Sequence, residues 1–172
     1  AGDVVVMFGG DLSSAAQSAV AASLAGFAGE GRRVLAHPLP RHNNSVGAHD
    51  MSAGRKPLGD VLKSSKALLI GGSLQESDAS LLSGKDFVVV QELFETETTK
   101  YADVVLPAAS FAEVDGTYTN NAGNVQRVRQ AIELVGQAKP DWMITSAIAR
   151  ELGVDFGYSS SAPAVFKAIA EA

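Results

Sequence analysis

Gln91-Glu92 closes the apolar run Phe87-Val88-Val89-Val90, and Gly71-Gly72-Ser73 closes Ala67-Leu68-Leu69-Ile70. An amide and a carboxylate at one strand end, beside glycines and a hydroxyl at another, sit at the crevice where open α/β sheets bind ligands. The other reading is a strand-end capping pair beside a turn. Gly9-Gly10-Asp11 also ends an apolar run and precedes a helical pattern, so its amides could receive a phosphate. Its spacing is not GxGxxG, and a tight strand-to-helix turn needs glycine whatever it binds.

The remaining reactive residue types form no constellation. His37, His42 and His49 fall on a strand end and a loop without helical i, i+4 pairing, so no metal site is expected. Glu113 and Asp115 are two apart in a glycine-containing loop, with none of the His, Ser-His or Lys partners that acid/base or nucleophilic chemistry requires nearby. No catalytic residue is assigned. Arg127 and Arg129 either face an anionic partner or mark a solvated strand face.

The elements that must position these groups alternate between strand and helix. Strands are read at Val4 to Phe8, Arg32 to His37, Ala67 to Ile70, Phe87 to Val90 and Asp103 to Leu106, the last two with a short polar helix between them. Helices are read over residues 12 to 28, where Val20, Leu24 and Phe27 share a face, around Leu58 to Lys63, over 76 to 83, from Pro140-Asp141 to Gly153, and from Ala162 to Ala172. Residues 41 to 57 read as an irregular polar loop, and Thr117 to Val128 as a hairpin or loop beside the sheet. This order predicts a Rossmann-like, doubly wound α/β fold, with a mainly parallel five-stranded sheet and helices on both faces.

Composition removes several function classes. The 172 residues suffice for one well-buried domain spanning 1-172. A net charge of -5 without basic blocks or interleaved aromatics gives no footprint for nucleic acid. Without cysteine the chain supplies no disulfide, no thiolate-held zinc and no ligand for an iron-sulfur cluster. No apolar run approaches the ~20 residues of a membrane helix, so no direct membrane insertion is expected. The start at Ala1-Gly2-Asp3, without an initiator Met, suggests a piece excised from a longer protein.

The stretch from Phe87 through Gln91-Glu92, Thr96-Glu97-Thr98 and Tyr101-Ala102-Asp103-Val104-Val105-Leu106-Pro107 to Glu113-Val114-Asp115-Gly116-Thr117 and Gln126 resembles the molybdopterin oxidoreductase family. That family runs from VVQD or VVQE through TETA-like residues and YADVVLP to an acidic-Gly-Thr loop. The resemblance covers residues 67 to 152 and, more weakly, 1 to 66. It implies a pterin-dinucleotide crevice at Gly71, Gly72, Ser73, Gln91 and Glu92, where the family has a G-x-N-P turn and a Gln-Asp pair. Here Ser73 and Leu74 replace Asn and Pro. Glu92 is one methylene longer than Asp, so a bond to a guanine or ribose edge must be re-aimed.

Within the family, Asn44-Ser45-Val46-Gly47-Ala48-His49-Asp50-Met51 resembles the N-S-x-G-A-x-D-M loop of the large iron-sulfur subunit of bacterial NADH-quinone oxidoreductase, respiratory complex I. This implies an assembly domain with a vestigial crevice, holding no cofactor itself and inactive alone, with iron-sulfur clusters elsewhere in the full chain. Its partners would be the rest of that subunit and the other complex I subunits, on the cytoplasmic side of the inner membrane. The alternative is the domain of a catalytic molybdenum enzyme such as a formate dehydrogenase, binding molybdopterin guanine dinucleotide. A free-standing nucleotide-binding module is a further alternative.

Overall fold

A computed structural model describes residues 2–9, 12–29, 31–40, 42–52, 56–158 and 161–171. In chain order the elements are β1 (Val4–Gly9), α1 (Ser14–Leu24), β2 (Val34–Leu39), α2 (Ser45–Met51), α3 (Leu58–Ser64), β3 (Ala67–Gly71), α4 (Glu76–Ala79), β4 (Phe87–Glu92), β5 (Val104–Pro107), β6 (Gly116–Thr119), β7 (Val125–Val128), α5 (Asp141–Glu151) and α6 (Ala162–Glu171). The chain divides into two compact units, Ala1–Ala53 with Thr117–Gln126, and Gly54–Gly116 with Arg127–Ala172.

In the first unit β1 and β2 pair in parallel, from Val4 opposite Val34 to Gly9 opposite Leu39. Asp3 fixes the start of this ladder, accepting from the Arg33 backbone N–H at 3.0 Å and from its guanidinium. Ser13 caps α1, its hydroxyl accepting from Ala16 N–H at 3.2 Å. A 3₁₀ turn at Ala25–Phe27 finishes the helix. Residues 41 to 57, expected to be irregular, contain the two-turn α2. Asn44 and Ser45 hid this start, because such residues favour turns as strongly as helix entries. The Asn44 side-chain oxygen accepts instead from Thr119 N–H at 2.9 Å, so α2 is tied to the β6–β7 hairpin. In that hairpin Asn120 Oδ1 accepts from Ala122 and Asn124 N–H, each at 3.0 Å. Its amide donates to Gln126 at 3.2 Å.

In the second unit β3, β4 and β5 form a parallel sheet with β4 in the middle. Val88 and Val90 of β4 are buried against Leu62 of α3 and Leu82, with Leu68, Ile70, Leu74 and Ala102 packed around them. Successive side chains point to opposite faces, so Gln91 lies on the other face, where it meets α5. Lys85 donates to the carbonyls of Leu62 and Ser65, closing the end of α3. Gly153, at φ +83°, ends α5 as expected.

The five expected parallel strands are therefore present, but the described residues arrange them as ladders of two and three strands. They do not form one five-stranded sheet. Alternation of strand and helix fixes strand direction through the crossovers, whereas the edge a strand pairs with depends on long-range packing that the pattern does not encode. The helix expected over 76 to 83 is the single turn α4 followed by a 3₁₀ turn at Ser80–Leu82. The polar helix expected between β4 and β5 is a 3₁₀ turn at Thr99–Tyr101. Both segments are too short to accumulate α-helical bonds. Among the described residues, no helix is long and apolar enough to cross a membrane.

Candidate functional site

The second unit carries a cleft of about 920 Å³ at the carboxyl ends of β3 and β4. Ser73, Glu92, Thr96 and Lys100 line it, with Phe94 and Val105 as apolar walls. The location follows from parallel pairing, which brings the loops after β3 and β4 to one side of the sheet.

Three hydroxyls join those two loops. Ser73 donates to Glu92 Oε2 at 2.5 Å and lies 2.8 Å from Thr96 Oγ1. Buried Thr98 accepts from Leu74 N–H at 2.9 Å. Glu92 Oε1 accepts from Leu93 N–H at 2.7 Å. Lys100 is paired with Glu97, whose hydrogen bond and charge raise the ammonium's pKa.

Of the residues read from the sequence as a crevice, Ser73 and Glu92 meet in this cleft. Gly71 and Gly72 do not line it, and Gly72 N–H donates to the Gln91 carbonyl at 2.8 Å. Apart from the glycine and its two chain neighbours, no heavy atom among the described residues lies within 4 Å of where a Cβ on either glycine would stand. The Gly72 turn needs glycine for its φ of +88°, not for a close neighbour. Gln91 is buried, its amide donating to the Asp141 carbonyl at 3.4 Å. Asp141, at the start of α5, has its pKa raised, first by the neighbours that desolvate its carboxyl and then by the negative charge of Glu92.

The other candidates disperse. Gly10, Asp11 and Arg41 lie outside the described residues. His49 approaches Asp50 at 3.4 Å, and no cluster of metal-ligating side chains occurs among the described residues. Glu113 is a structural clamp, accepting from Ser110 and Val135 N–H, each at 2.7 Å. Asp115 accepts from Gln130 N–H at 3.3 Å. Arg127 and Arg129 are exposed. Sequence reasoning missed Thr96 and Thr98 as the side chains that staple the two loops together. The clustering of hydroxyls in Thr96-Glu97-Thr98-Thr99 between two buried strands was the available signal.

Residues 13–151 match the model of the molybdopterin oxidoreductase family. The chain belongs to that family. Among curated relatives of this molybdopterin oxidoreductase domain, "Putative formate dehydrogenase YrhE" of Bacillus subtilis (strain 168) is 46% identical over 101 residues, which is 55% of this chain and 10% of the relative. The "F420-dependent formate dehydrogenase 2 subunit alpha" of Methanococcus maripaludis is 54% identical over 72 residues, 42% of this chain and 11% of the relative. The domain thus spans about a tenth of the length of these relatives. Both carry formate dehydrogenase names and neither is named as a complex I subunit.

Proposed function

We propose that this chain is a cofactor-binding α/β portion of a molybdopterin-dependent formate dehydrogenase. Family membership supports the redox class, and identity to formate dehydrogenases in two organisms supports the substrate. The observation that carries the binding role is the strand-end cleft, where Ser73, Glu92 and Thr96 converge from two loops.

These residues fit one part of molybdopterin guanine dinucleotide. Glu92 offers acceptor oxygens to a donor-bearing edge, and the open cleft leaves room beside it. Lys100 is already paired with Glu97, so the lining offers its phosphates little positive charge. When bound, the group would supply the metal centre that accepts electrons from the substrate. This chain's part is to grip and orient one end of it. Thiolates, which this chain lacks, would come from elsewhere in the enzyme.

The test is a chimera in which residues 13–151 replace the matching segment of the Bacillus subtilis relative. Retained molybdenum by elemental analysis, with formate oxidation, is the expected result. A chimera that folds by circular dichroism and gel filtration but holds no pterin overturns the proposal.

A second reading is the assembly domain of the large iron-sulfur subunit of NADH-quinone oxidoreductase, packed against the remaining complex I subunits on the cytoplasmic side of the inner membrane. One observation favours it: Gly72 N–H and the Gln91 side-chain amide already donate to the Gln91 and Asp141 carbonyls within the fold.

A further inference from the structure

The end of α5 and the chain that follows it enclose a smaller cavity of about 130 Å³, within the unit of Gly54–Gly116 with Arg127–Ala172. It shares no lining residue with the strand-end cleft. Trp142 and Met143 of α5, with Phe156 and Tyr158 beyond its end, give it apolar walls. Phe156 and Tyr158 stack with ring centroids 5.5 Å apart. A cavity of ~150 Å³ holds one benzene ring, so this one has room for a single ring and none for a nucleotide.

Two charged groups share the lining, and they differ in how far they are engaged. Asp155 accepts from Gly157 N–H at 2.8 Å, across a turn that Gly157 makes at φ +69°. Arg150 enters no ion pair or side-chain hydrogen bond among the described residues. The closing carbonyls of α5 do not need it. Leu152 N–H donates to Ile148 and Ala149, Val154 N–H to Ala149 and Gly153 N–H to Arg150 itself. A guanidinium left uncommitted presents a planar fork of donors that matches a carboxylate.

We propose that this cavity binds a carboxylate carried on one ring-sized apolar group, with Arg150 as its anion partner and Trp142, Phe156 and Tyr158 as its apolar contacts. A free aromatic acid and the C-terminal residue of a peptide both carry such a group. The proposal is independent of the cofactor role of the strand-end cleft.

Trp142 is the one tryptophan of the chain, so its emission reports on this cavity. Titrating the protein with benzoate, benzyl alcohol and benzylamine keeps the ring and changes the charge it carries. Benzoate is expected to shift the emission saturably, with half-saturation at about 1 mM or below, the scale open to so small a ligand. Benzyl alcohol should bind about 10-fold more weakly, the usual scale of a lost hydrogen bond to a charged group, and benzylamine no better than the alcohol. Arg150→Gln should weaken benzoate about 10-fold and leave benzyl alcohol unchanged, a contrast that a merely structural role for Arg150 would not produce. N-acetylphenylalanine binding tighter than benzoate assigns the site to a chain end, and weaker binding assigns it to a free acid. Circular dichroism melts confirm that the variant is folded. The proposal is overturned by no saturable change with benzoate up to about 10 mM, by tighter binding of benzylamine, or by an Arg150→Gln variant that binds benzoate as wild type does or loses both ligands equally. None of these outcomes bears on the cofactor reading, which the chimera decides.

Discussion

Glu113 is 6% exposed, and its carboxylate closes two loops through the Ser110 and Val135 backbone N–H groups. Hydrogen bonds from Ser110, and then from Val135, hold its pKa below the ordinary 4.5. Because the folded value is lowered, the stabilisation is complete above the unfolded value and fades as pH falls through the folded one. Thermal melts should therefore show the midpoint dropping between about pH 5 and pH 3 in wild type, with a shallower slope in Glu113→Gln. An equal slope in both proteins would remove Glu113 from the account. The sequence showed the residue but not its role, since Val135 is a distant partner that no spacing rule connects to it. Gly47 gives a second test. A Cβ there would stand 2.3 Å from Asn44 Oδ1 and 3.1 Å from Thr119 Oγ1, forcing Asn44 off Thr119 N–H. Gly47→Ala should cost about 1 kcal/mol by urea titration and cost less when Asn44→Ala is already present, because the bond it breaks is then gone.

β4 lies between β3 and β5, and its buried face is filled from α3 and from Leu82. Leu82 is 2% exposed whereas its neighbour Leu81 is 43% exposed, so the pair isolates packing from composition. Leu82→Ala should lose about 2–5 kcal/mol in denaturant unfolding, and Leu81→Ala no more than about 0.5 kcal/mol. Comparable losses at both sites would mean that the core is not where it is placed here. Elements of this kind were legible in the chain. Phe87-Val88-Val89-Val90 and Val104-Val105-Leu106 form strands because β-branched runs favour the pleated backbone, although only Val88 and Val90 are fully buried and Val104 and Val105 stay exposed, and Gly153 ends α5 because it can take positive φ. What escaped was short and governed by capping. α2 begins at Asn44-Ser45, residues as much at home in a turn, and the 3₁₀ turns at Ser80–Leu82 and Thr99–Tyr101 depend on packing against β4. The cleft was legible in its location at the strand ends, through Ser73 and Glu92, and illegible in the hydroxyl contacts that give it shape.

On the scale of the whole molecule, the largest fully buried side chains, Leu82, Val88, Val90 and Thr98, belong to the unit of Gly54–Gly116 with Arg127–Ala172. The unit of Ala1–Ala53 with Thr117–Gln126 leaves Val5, Met7 and Leu35 half or more exposed on its β1–β2 ladder. Parallel strands ordinarily have both faces covered, so two such strands are a thin structure. The runs Val4 to Phe8 and Arg32 to His37 point to a single larger sheet by pattern alone, because local sequence specifies strand direction more firmly than strand neighbours. The unequal burial has a consequence in time. Amides of β4 open only with the core around them, whereas those of β1 and β2 open with little apolar surface to expose. Hydrogen–deuterium exchange followed by mass spectrometry should find β4 peptides protected at least roughly 100-fold longer than β1 and β2 peptides, and the reverse order would contradict the division of the core described here. A protease cleaves whatever fraction of molecules is momentarily open, so the first cut should fall in the Val4–Leu39 region. The resistance of this isolated portion to a protease would then be set by its two-stranded ladder, however durable the three-stranded core remains.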